Sequence, residues 1–365
     1  MLERIRLQNF RVVREAEIDL ERLTVLVGPN GSGKTTVLQG LQILTDMSAF
    51  SRDFASRKQL AAQRSQHTDS PLLLELEGSW EGSKLGASLT YGNARGNAKG
   101  AHAGNELLAC AIQGDHRIEV KKSSGGVLGD QASFHSAPIW RFVSPARIVH
   151  FEAEELARPS AIQQQVPGIL PNGAGLASTL VHLAATSPQV FPIIEQDLCA
   201  VVPSVKRFRL NPLSGSGATP LPYEVRFETT SGEVPASAIS EGTLLVLGYL
   251  TVLHAPERPR LLLVENIERG LHPRAMGDLI GQLRAILERF PNIQIIATSH
   301  SPYLVDHLKP EEVRLTSIGP DGLATCAALN RHPDFDRWKD EMAPGEFWSA
   351  VGEDWVSEQT GPAHA

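Results

Sequence analysis

Glycine, lysine and threonine near the N-terminus have the types and spacing of a phosphate-binding loop. The segment GPNGSGKT at 28–35 fits the pattern G-x-x-x-x-G-K-[ST] and lies between the apolar run 23–27 and a segment with helical spacing. Glycines let backbone amides turn inward around phosphate oxygens, Lys34 supplies positive charge, and the Thr35 hydroxyl is a ligand for Mg²⁺. The predicted triphosphate site comprises Gly28, Pro29, Asn30, Gly31, Ser32, Gly33, Lys34, Thr35 and Thr36.

Carboxylates follow a second apolar run, LLLV at 261–264. Glu265 stands where an acid at the end of a buried strand can hold Mg²⁺. The next residue, Asn266, can orient a water molecule but cannot take its proton, and Glu268 is the nearest further carboxylate. Removal of a general base typically lowers a rate by ~10²–10⁴. Three alternatives therefore stay open: hydrolysis with Glu268 as a displaced base, slow turnover, and no hydrolysis. Glu268 could equally be a solvated charge of the turn.

Other candidate site residues lie at the ends of elements. His300 closes the strand IQIIATSH, and because strand C-termini of an open α/β sheet face the ligand crevice, it is expected near the γ-phosphate. In SEGT, Ser240 is a candidate N-cap and Gly242 keeps the first turn of a buried helix bare, although a capped core helix explains both. Arg11 is a candidate for phosphate or base contact, with a surface salt bridge as the alternative.

Composition narrows the classes of partner. A net charge of -7 over 365 residues does not indicate a nucleic-acid or membrane surface. DNA contact would need a local patch, for which a solvated loop is the alternative. The longest apolar stretch, 243–253, is shorter than the ~20 residues that span a bilayer. Three distant cysteines indicate reduced thiols in a soluble, cytoplasmic protein. The basic candidates are Arg52, Arg57, Lys58 and Arg64, together with Lys206, Arg207 and Arg209.

Periodicity predicts an α/β fold with a mixed sheet. Three strands and a helix occupy the first 45 residues, and an antiparallel β-meander covers 72–122. Short helices between Pro and Gly breaks predict a helical insert, and helix–strand alternation returns from about 240. We expect the Trp-rich tail to be docked. The predicted division is 1–149, 150–235, 236–330 and 331–365.

The motif order resembles the ABC-type ATPases of the SMC/RecF/OLD-nuclease group, often labelled AAA-domain ATPases. The segments NFR, GPNGSGKT, SEGT, LLLVENIERGLHP and ATSHSPYLVD carry this resemblance, which covers nearly the whole chain. It implies a P-loop NTPase head that binds ATP and Mg²⁺ and completes its sites in a homodimer. Glu265 would hold the metal, Ser240 and Gly242 would cap the γ-phosphate of the opposite subunit, and His300 would sense it.

The resemblance is strongest to short stand-alone bacterial members. The insert is too short for SMC coiled-coil arms, and no metal-binding nuclease (Toprim) domain is expected after the cassette. The resemblance implies a switch for a protein effector, for example a nuclease in DNA maintenance or anti-phage defence. Asn266 departs from the group's usual second acid, which implies slow turnover. The alternatives are a RecF-like DNA-binding repair ATPase and a non-hydrolysing switch; a transporter cassette is disfavoured because SEGT differs from the transporter signature.

Overall fold

The computed structural model forms two compact units. One comprises Met1–Ala146 with Asn292–Ala365, and the other is Arg147–Pro291. The predicted four-segment division stays a prediction, but the second unit contains residues 236–291 together with the insert. The structure describes residues 1–45, 70–80, 83–93, 105–113, 116–123, 126–137, 139–140, 146–162, 168–213 and 220–359.

A mixed sheet dominates the first unit. Its strands are β1 (Leu2–Phe10), β2 (Val13–Asp19), β3 (Leu23–Val27), β4 (Leu72–Trp80), β5 (Ser83–Asn93), β6 (Asn105–Gln113), β7 (His116–Ser123), β8 (Gly126–Gly129), β14 (Gln294–Ser299), β15 (Val313–Ile318) and β16 (Ala324–Ala328). They follow the order β8-β7-β6-β5-β4-β1-β2-β16-β15-β3-β14. Strands β4 to β8 pair antiparallel in succession, which confirms the predicted meander.

The centre of this sheet is parallel and buried. Strand β3 pairs parallel with β14 on one side and with β15 on the other, so that both Ser299 and Leu315 stand beside Val27. Every residue of β3 is buried, as its unbroken apolar run predicts. The carboxyl ends of these three strands therefore meet at one edge of the sheet, directly before the glycine-rich loop.

The first unit also contains helices, and the last three of them form the C-terminal tail. They are α1 (Lys34–Thr45), α2 (Gln131–Ser136), α8 (Pro302–Val305), α9 (Phe335–Trp338), α10 (Pro344–Val351) and α11 (Asp354–Gln359). Helix α1 packs closely on β1, since a Cβ on Gly40 would lie 2.6 Å from Leu7 Cδ2. In the tail, Trp348 and Trp355 are buried, which confirms that it is docked. Its last residues, 360–365, lie outside the described part of the chain.

The second unit is built around one helix. Its strands and helices are β9 (Ala146–Val149), α3 (Ala153–Ala157), α4 (Leu176–Thr186), α5 (Val190–Val201), β10 (Val205–Pro212), β11 (Tyr223–Thr229), β12 (Gly232–Pro235), α6 (Glu241–His254), β13 (Leu261–Val264) and α7 (Pro273–Arg289). Residues 242–254 of α6 are all buried, as its all-round apolar sequence predicts. Helix α7 buries the predicted apolar face, and β9 neighbours β13. No helix of the described residues is long and apolar enough to cross a membrane.

The helical insert predicted for residues 150–235 contains helices, but the prediction is wrong for residues 205–235. These residues form an antiparallel sheet in the order β10-β11-β12. Phe208 and Phe227 are buried and alternate with exposed or half-buried charged residues, which is the two-residue period of a half-covered strand. Phe191 of α5 packs on Phe208 with ring centroids 4.6 Å apart, so the helices predicted in this region cover the sheet.

Candidate active site

The phosphate-loop glycines adopt backbone conformations that other residues rarely take. Gly28, Gly31 and Gly33 have φ of 142°, 81° and 92°. Strand β15 also passes so close that a Cβ on Gly28 would lie 2.3 Å from the Thr316 carbonyl oxygen. The loop can therefore turn back into α1 only with glycine at these positions, and its amides are left to face a ligand.

Lys34 places a buried ammonium at the mouth of this loop. It is 5% exposed. Its Nζ donates to the carbonyl oxygens of Gly28 at 2.9 Å and Pro29 at 2.7 Å. Thr35 is exposed beside it on the first turn of α1. The loop thus combines a fixed positive charge, a helix N-terminus and an accessible hydroxyl, a combination that binds polyphosphate.

Thr316 supports the loop from β15, although no sequence motif contains it. Its hydroxyl donates to the Val27 carbonyl at 3.0 Å and lies 2.5 Å from Ser32 Oγ. Because the Thr316 proton is used on Val27, Ser32 is the donor in the second contact. Ser32 therefore anchors the loop to the sheet. Only the pairing of β15 with β3 brings these residues together, so sequence spacing carries no signal for the contact.

His300 and Arg11 also lie in the first unit. His300 is exposed and follows Ser299, whose register partner is Val27, so it stands at the same sheet edge as the start of the loop. Arg11 has φ 53° in the β1–β2 turn, and its guanidinium donates to the Gln39 side chain of α1. The position of His300 agrees with the prediction, whereas Arg11 is engaged by a neighbouring side chain. The functional roles of both stay predictions.

Glu265 is held by a residue that no sequence motif contains. Its Oε2 lies 2.7 Å from Nδ1 of His150, the residue after β9. The Glu265 amide donates to the Val149 carbonyl at 3.2 Å, which fixes the two strand ends side by side. The Glu265 side chain is 17% exposed and that of His150 is 50% exposed. A single His after a short strand gives no distinctive sequence signal.

Asn266 occupies a left-handed backbone position with φ 50°. Asparagine is among the few non-glycine residues that adopt this conformation readily, so the turn itself favours Asn here. Glu268 is not a fully solvated turn charge, because its Oε2 is buried. Burial raises the pKa of Tyr249 far above its usual range, and the nearby charge of Glu268 raises it further. Glu268 therefore lies close to α6.

The SEGT turn packs directly on the turn that follows Glu265. A Cβ on Gly242 would lie 2.4 Å from the Gly270 carbonyl oxygen, and Glu241 forms an ion pair of 2.6 Å with Arg269. Ser240 is exposed, and its Oγ caps α6 by accepting from the Thr243 amide at 3.3 Å. The N-cap prediction is confirmed. Gly242 is needed for close approach as well as for a bare first turn.

The basic residues that were candidates for DNA contact receive little support from the structure. Arg207 and Arg209 both lie within 3.6 Å of Glu228 on the neighbouring strand, so this one carboxylate offsets part of their positive charge. The basic candidates Arg52, Arg57, Lys58 and Arg64 lie outside the described residues.

Two family comparisons cover the motifs of both units. Residues 114–306, more than half of the chain, match the family described as "AAA domain, putative AbiEii toxin, Type IV TA system". The chain belongs to this AAA-domain ATPase family. Residues 1–85, which contain the phosphate loop, match the "AAA ATPase domain" family.

Relatives of this ATPase include DNA-processing proteins. The chain is 23% identical to the OLD nuclease of Thermus scotoductus over 343 residues, which are 86% of this chain and 62% of the relative. It thus spans less than two thirds of that relative's length. A shorter match, 44% over 57 residues, joins 15% of the chain to 6% of the Rad50 double-strand break repair ATPase of Methanopyrus kandleri.

Solved structures confirm the fold. An SMC head bound to the C-terminal winged-helix domain of ScpA matches with a TM-score of 0.54 at 12% identity, covering 92% of this chain and 99% of that one. An SMC head with an extended coiled coil, bound to the C-terminal domain of ScpA derived from Pyrococcus furiosus, matches with a TM-score of 0.51 at 10% identity, covering 93% and 99%. The ATPase therefore has the predicted SMC-head-like α/β fold.

The donor set of this ATPase suits Mg²⁺ held together with a polyphosphate. The described residues contain no group of three or more His, Cys, Asp or Glu side chains that could hold a metal alone. Mg²⁺ at nucleotide sites takes only one or two protein oxygens, with phosphate and water oxygens as the remaining ligands. The exposed Thr35 hydroxyl and the Glu265 carboxylate are hard oxygen donors of this kind. Each unit thus supplies one oxygen donor of the kind that fits Mg²⁺ beside a nucleotide.

Proposed function

We propose that the ATPase binds MgATP and hydrolyses it in a nucleotide-sandwich dimer, acting as a cytoplasmic switch for a protein effector. The observation that carries the proposal is the exposed N-terminus of α6. Ser240 is exposed there, whereas residues 242–254 of the same helix are buried and its first turn packs on the turn after Glu265. Such a rigid, outward-facing helix N-terminus suits the γ-phosphate of a nucleotide bound to a second copy.

Each residue has a role in the proposed reaction. The loop amides and Lys34 bind the β- and γ-phosphates, and Thr35 and Glu265 hold Mg²⁺, which when bound neutralises charge on phosphate oxygens. His150 orients the Glu265 carboxylate. Asn266 orients the attacking water, Glu268 is the candidate base that takes its proton, and His300 contacts the γ-phosphate from the strand end. Ser240 and Gly242 complete the site from the partner copy.

Phosphate release by four proteins tests the chemistry. Wild type should turn over slowly, and Lys34→Ala should abolish release because the phosphate charge is no longer neutralised. Glu268→Gln should lower the rate by ~10²-fold or more if Glu268 is the base. Asn266→Asp should raise it, because Asp tolerates the left-handed backbone and adds a carboxylate. Release that is equal in wild type and Lys34→Ala would contradict the proposal.

An effector partner is supported by the relatives. The similar OLD nuclease is named for nuclease activity, and both similar SMC heads were solved bound to a domain of ScpA. We infer that this ATPase likewise regulates a protein, with a nuclease in DNA maintenance or anti-phage defence as the leading candidate. Co-purification with MgATP should retain this partner in wild type and lose it in Lys34→Ala.

A RecF-like DNA-binding role is the second proposal. It requires that charge reversal at Arg57, Lys58 and Arg64 abolish ATP-dependent DNA binding. It also requires binding that weakens steeply with salt. Turnover that is unaffected by DNA at low salt would exclude this role.

A further inference from the structure

The second unit contains a cavity of about 290 Å³ away from the residues proposed to bind ATP. Its walls come from α4, from the C-terminal end of α6 with residues 255–257, from Arg147 on β9 and from the loop 168–169. Ligand pockets usually enclose ~300–1,000 Å³, so this volume suits a small metabolite. The walls include no residue assigned to the reaction above.

Arg147 gives the cavity a positive charge that the described residues leave without a direct counter-ion. The guanidinium is half-buried and lines the cavity, with its Nη2 3.8 Å from where a Cβ on Gly168 would stand. Burial lowers the pKa of Arg147, and the charge of Glu257 acts in the opposite direction only at a distance. Within the described part of the chain, no hydrogen bond or ion pair is formed by this guanidinium. An ionised group withdrawn from water in this way is costly unless an anion meets it.

Besides His182 and the carboxylate-bearing Glu257, the remaining walls carry hydroxyl groups and apolar side chains. Thr179 and Thr251 are buried, and each hydroxyl donates to a carbonyl of its own helix at 2.8 and 2.7 Å, which leaves lone pairs to accept hydrogen bonds. Ile169, Leu183 and Val252 are buried apolar residues of the same cavity. A fitting ligand has an anionic head for Arg147 and an apolar body.

We propose that this cavity binds a small organic anion, a carboxylate or a phosphate ester with an apolar body, through Arg147. Its placement links it to Glu265 and Ser240, which lie in the same unit. Arg147 lies on β9, which ends directly before His150, the partner of Glu265. Thr251 lies on the helix that begins after Ser240. A ligand in the cavity would contact β9 and α6. At their other ends, these two elements lead to His150 and Ser240, which have roles in the proposed reaction.

Binding is measured directly, so the outcome does not depend on ATP turnover. The probes are para-fluorobenzoate and para-fluorophenyl phosphate, with neutral para-fluorobenzamide as the matched control, followed by fluorine NMR on the full chain. We expect the fluorine resonance of at least one anionic probe to broaden saturably when the protein is added. The neutral amide should bind roughly tenfold more weakly, because a charge-assisted hydrogen bond contributes ~1.5–3 kcal/mol. The stronger anion identifies the head group as carboxylate or phosphate.

Variants assign the binding to the cavity. Arg147→Gln should weaken the anion at least roughly tenfold, and Arg147→Lys should weaken it less, because it keeps the charge but loses the planar fork. Arg289→Gln removes the same charge from the exposed end of α7 and should leave binding unchanged. Circular dichroism checks that each variant is folded. Equal binding of the amide, no saturable binding of either anion, or equal affinity in wild type and both Arg147 variants would overturn the proposal.

Discussion

At the scale of single residues, backbone conformation and side-chain contacts explain residue types that the sequence motifs do not account for. Asn266 first stands out as a missing acid, yet its left-handed backbone gives an independent reason for asparagine. Glu265 is selected by its place after an apolar run, but His150, which holds it at 2.7 Å, is not. The motif identifies groups that touch a ligand, whereas the residues that position them become visible only after strands β9 and β13 pair.

The contact between His150 and Glu265 predicts a positioning role. His150→Ala should raise the Mg²⁺ concentration needed for half-maximal ATP turnover by ~10-fold, the lower end of the usual effect of losing a residue that orients a metal ligand. His150→Gln should restore part of this loss, because its amide can still donate to the carboxylate. His307→Ala, at an exposed histidine, is the matched control. An unchanged Mg²⁺ dependence in His150→Ala would refute the role.

The backbone at Asn266 predicts a stability effect that is separate from catalysis. Asn266→Val should lower the free energy of unfolding by ~1–2 kcal/mol, because a β-branched residue resists the left-handed region. Asn266→Gly should be tolerated. Asn292→Val provides the control, since Asn292 is exposed and lies outside that region. Urea denaturation measures all three, and equal losses at both sites would show that the φ of Asn266 does not matter.

At the scale of elements, the spacing of apolar residues predicts the helices and strands whose buried residues are set by packing. Strand β3, the meander and α7 follow from apolar spacing because each buries a defined face against the chain. The strands of residues 205–235 escape prediction because charged residues occupy the outer face of β10 and β11, and a segment rich in Gly and Pro separates these two strands along the chain. Likewise, Thr316 and Ser32 are 284 positions apart, and only parallel pairing of β15 with β3 makes them neighbours.

Close packing of two turns predicts the consequence of adding one methyl group. Gly242→Ala should lower stability by ~1–3 kcal/mol and reduce ATP turnover, because the new Cβ would lie 2.4 Å from a backbone oxygen of Gly270 and must displace the start of α6. Gly281→Ala is the matched control within α7, where nothing lies within 4 Å of an added Cβ. It should stabilise by ~0.5–1 kcal/mol. Thermal unfolding distinguishes the two, and opposite signs are required.

At the scale of the whole molecule, the residues proposed to act in ATP turnover divide between the two units. The phosphate loop, Thr316 and His300 belong to the first unit, and Glu265, His150 and the SEGT turn belong to the second. Motif order predicts the phosphate loop, His300, Glu265 and the SEGT turn, because each motif ends a strand or begins a helix. It does not predict Thr316 or His150, which reach their partners only through strand pairing. Sequence cannot predict the identity of a partner, since recognition of an effector depends on surface shape rather than on periodic burial.

The most direct test is the molar mass in solution, measured by light scattering during gel filtration with and without Mg²⁺ and a non-hydrolysable ATP analogue. We predict the mass of one chain without nucleotide and of two chains with it. Ser240→Arg should stay at one chain with nucleotide, whereas Ser237→Arg, at an exposed position three residues earlier, should still dimerise. A wild-type protein that stays at one chain with saturating analogue, or a Ser240→Arg variant that dimerises normally, would contradict the account.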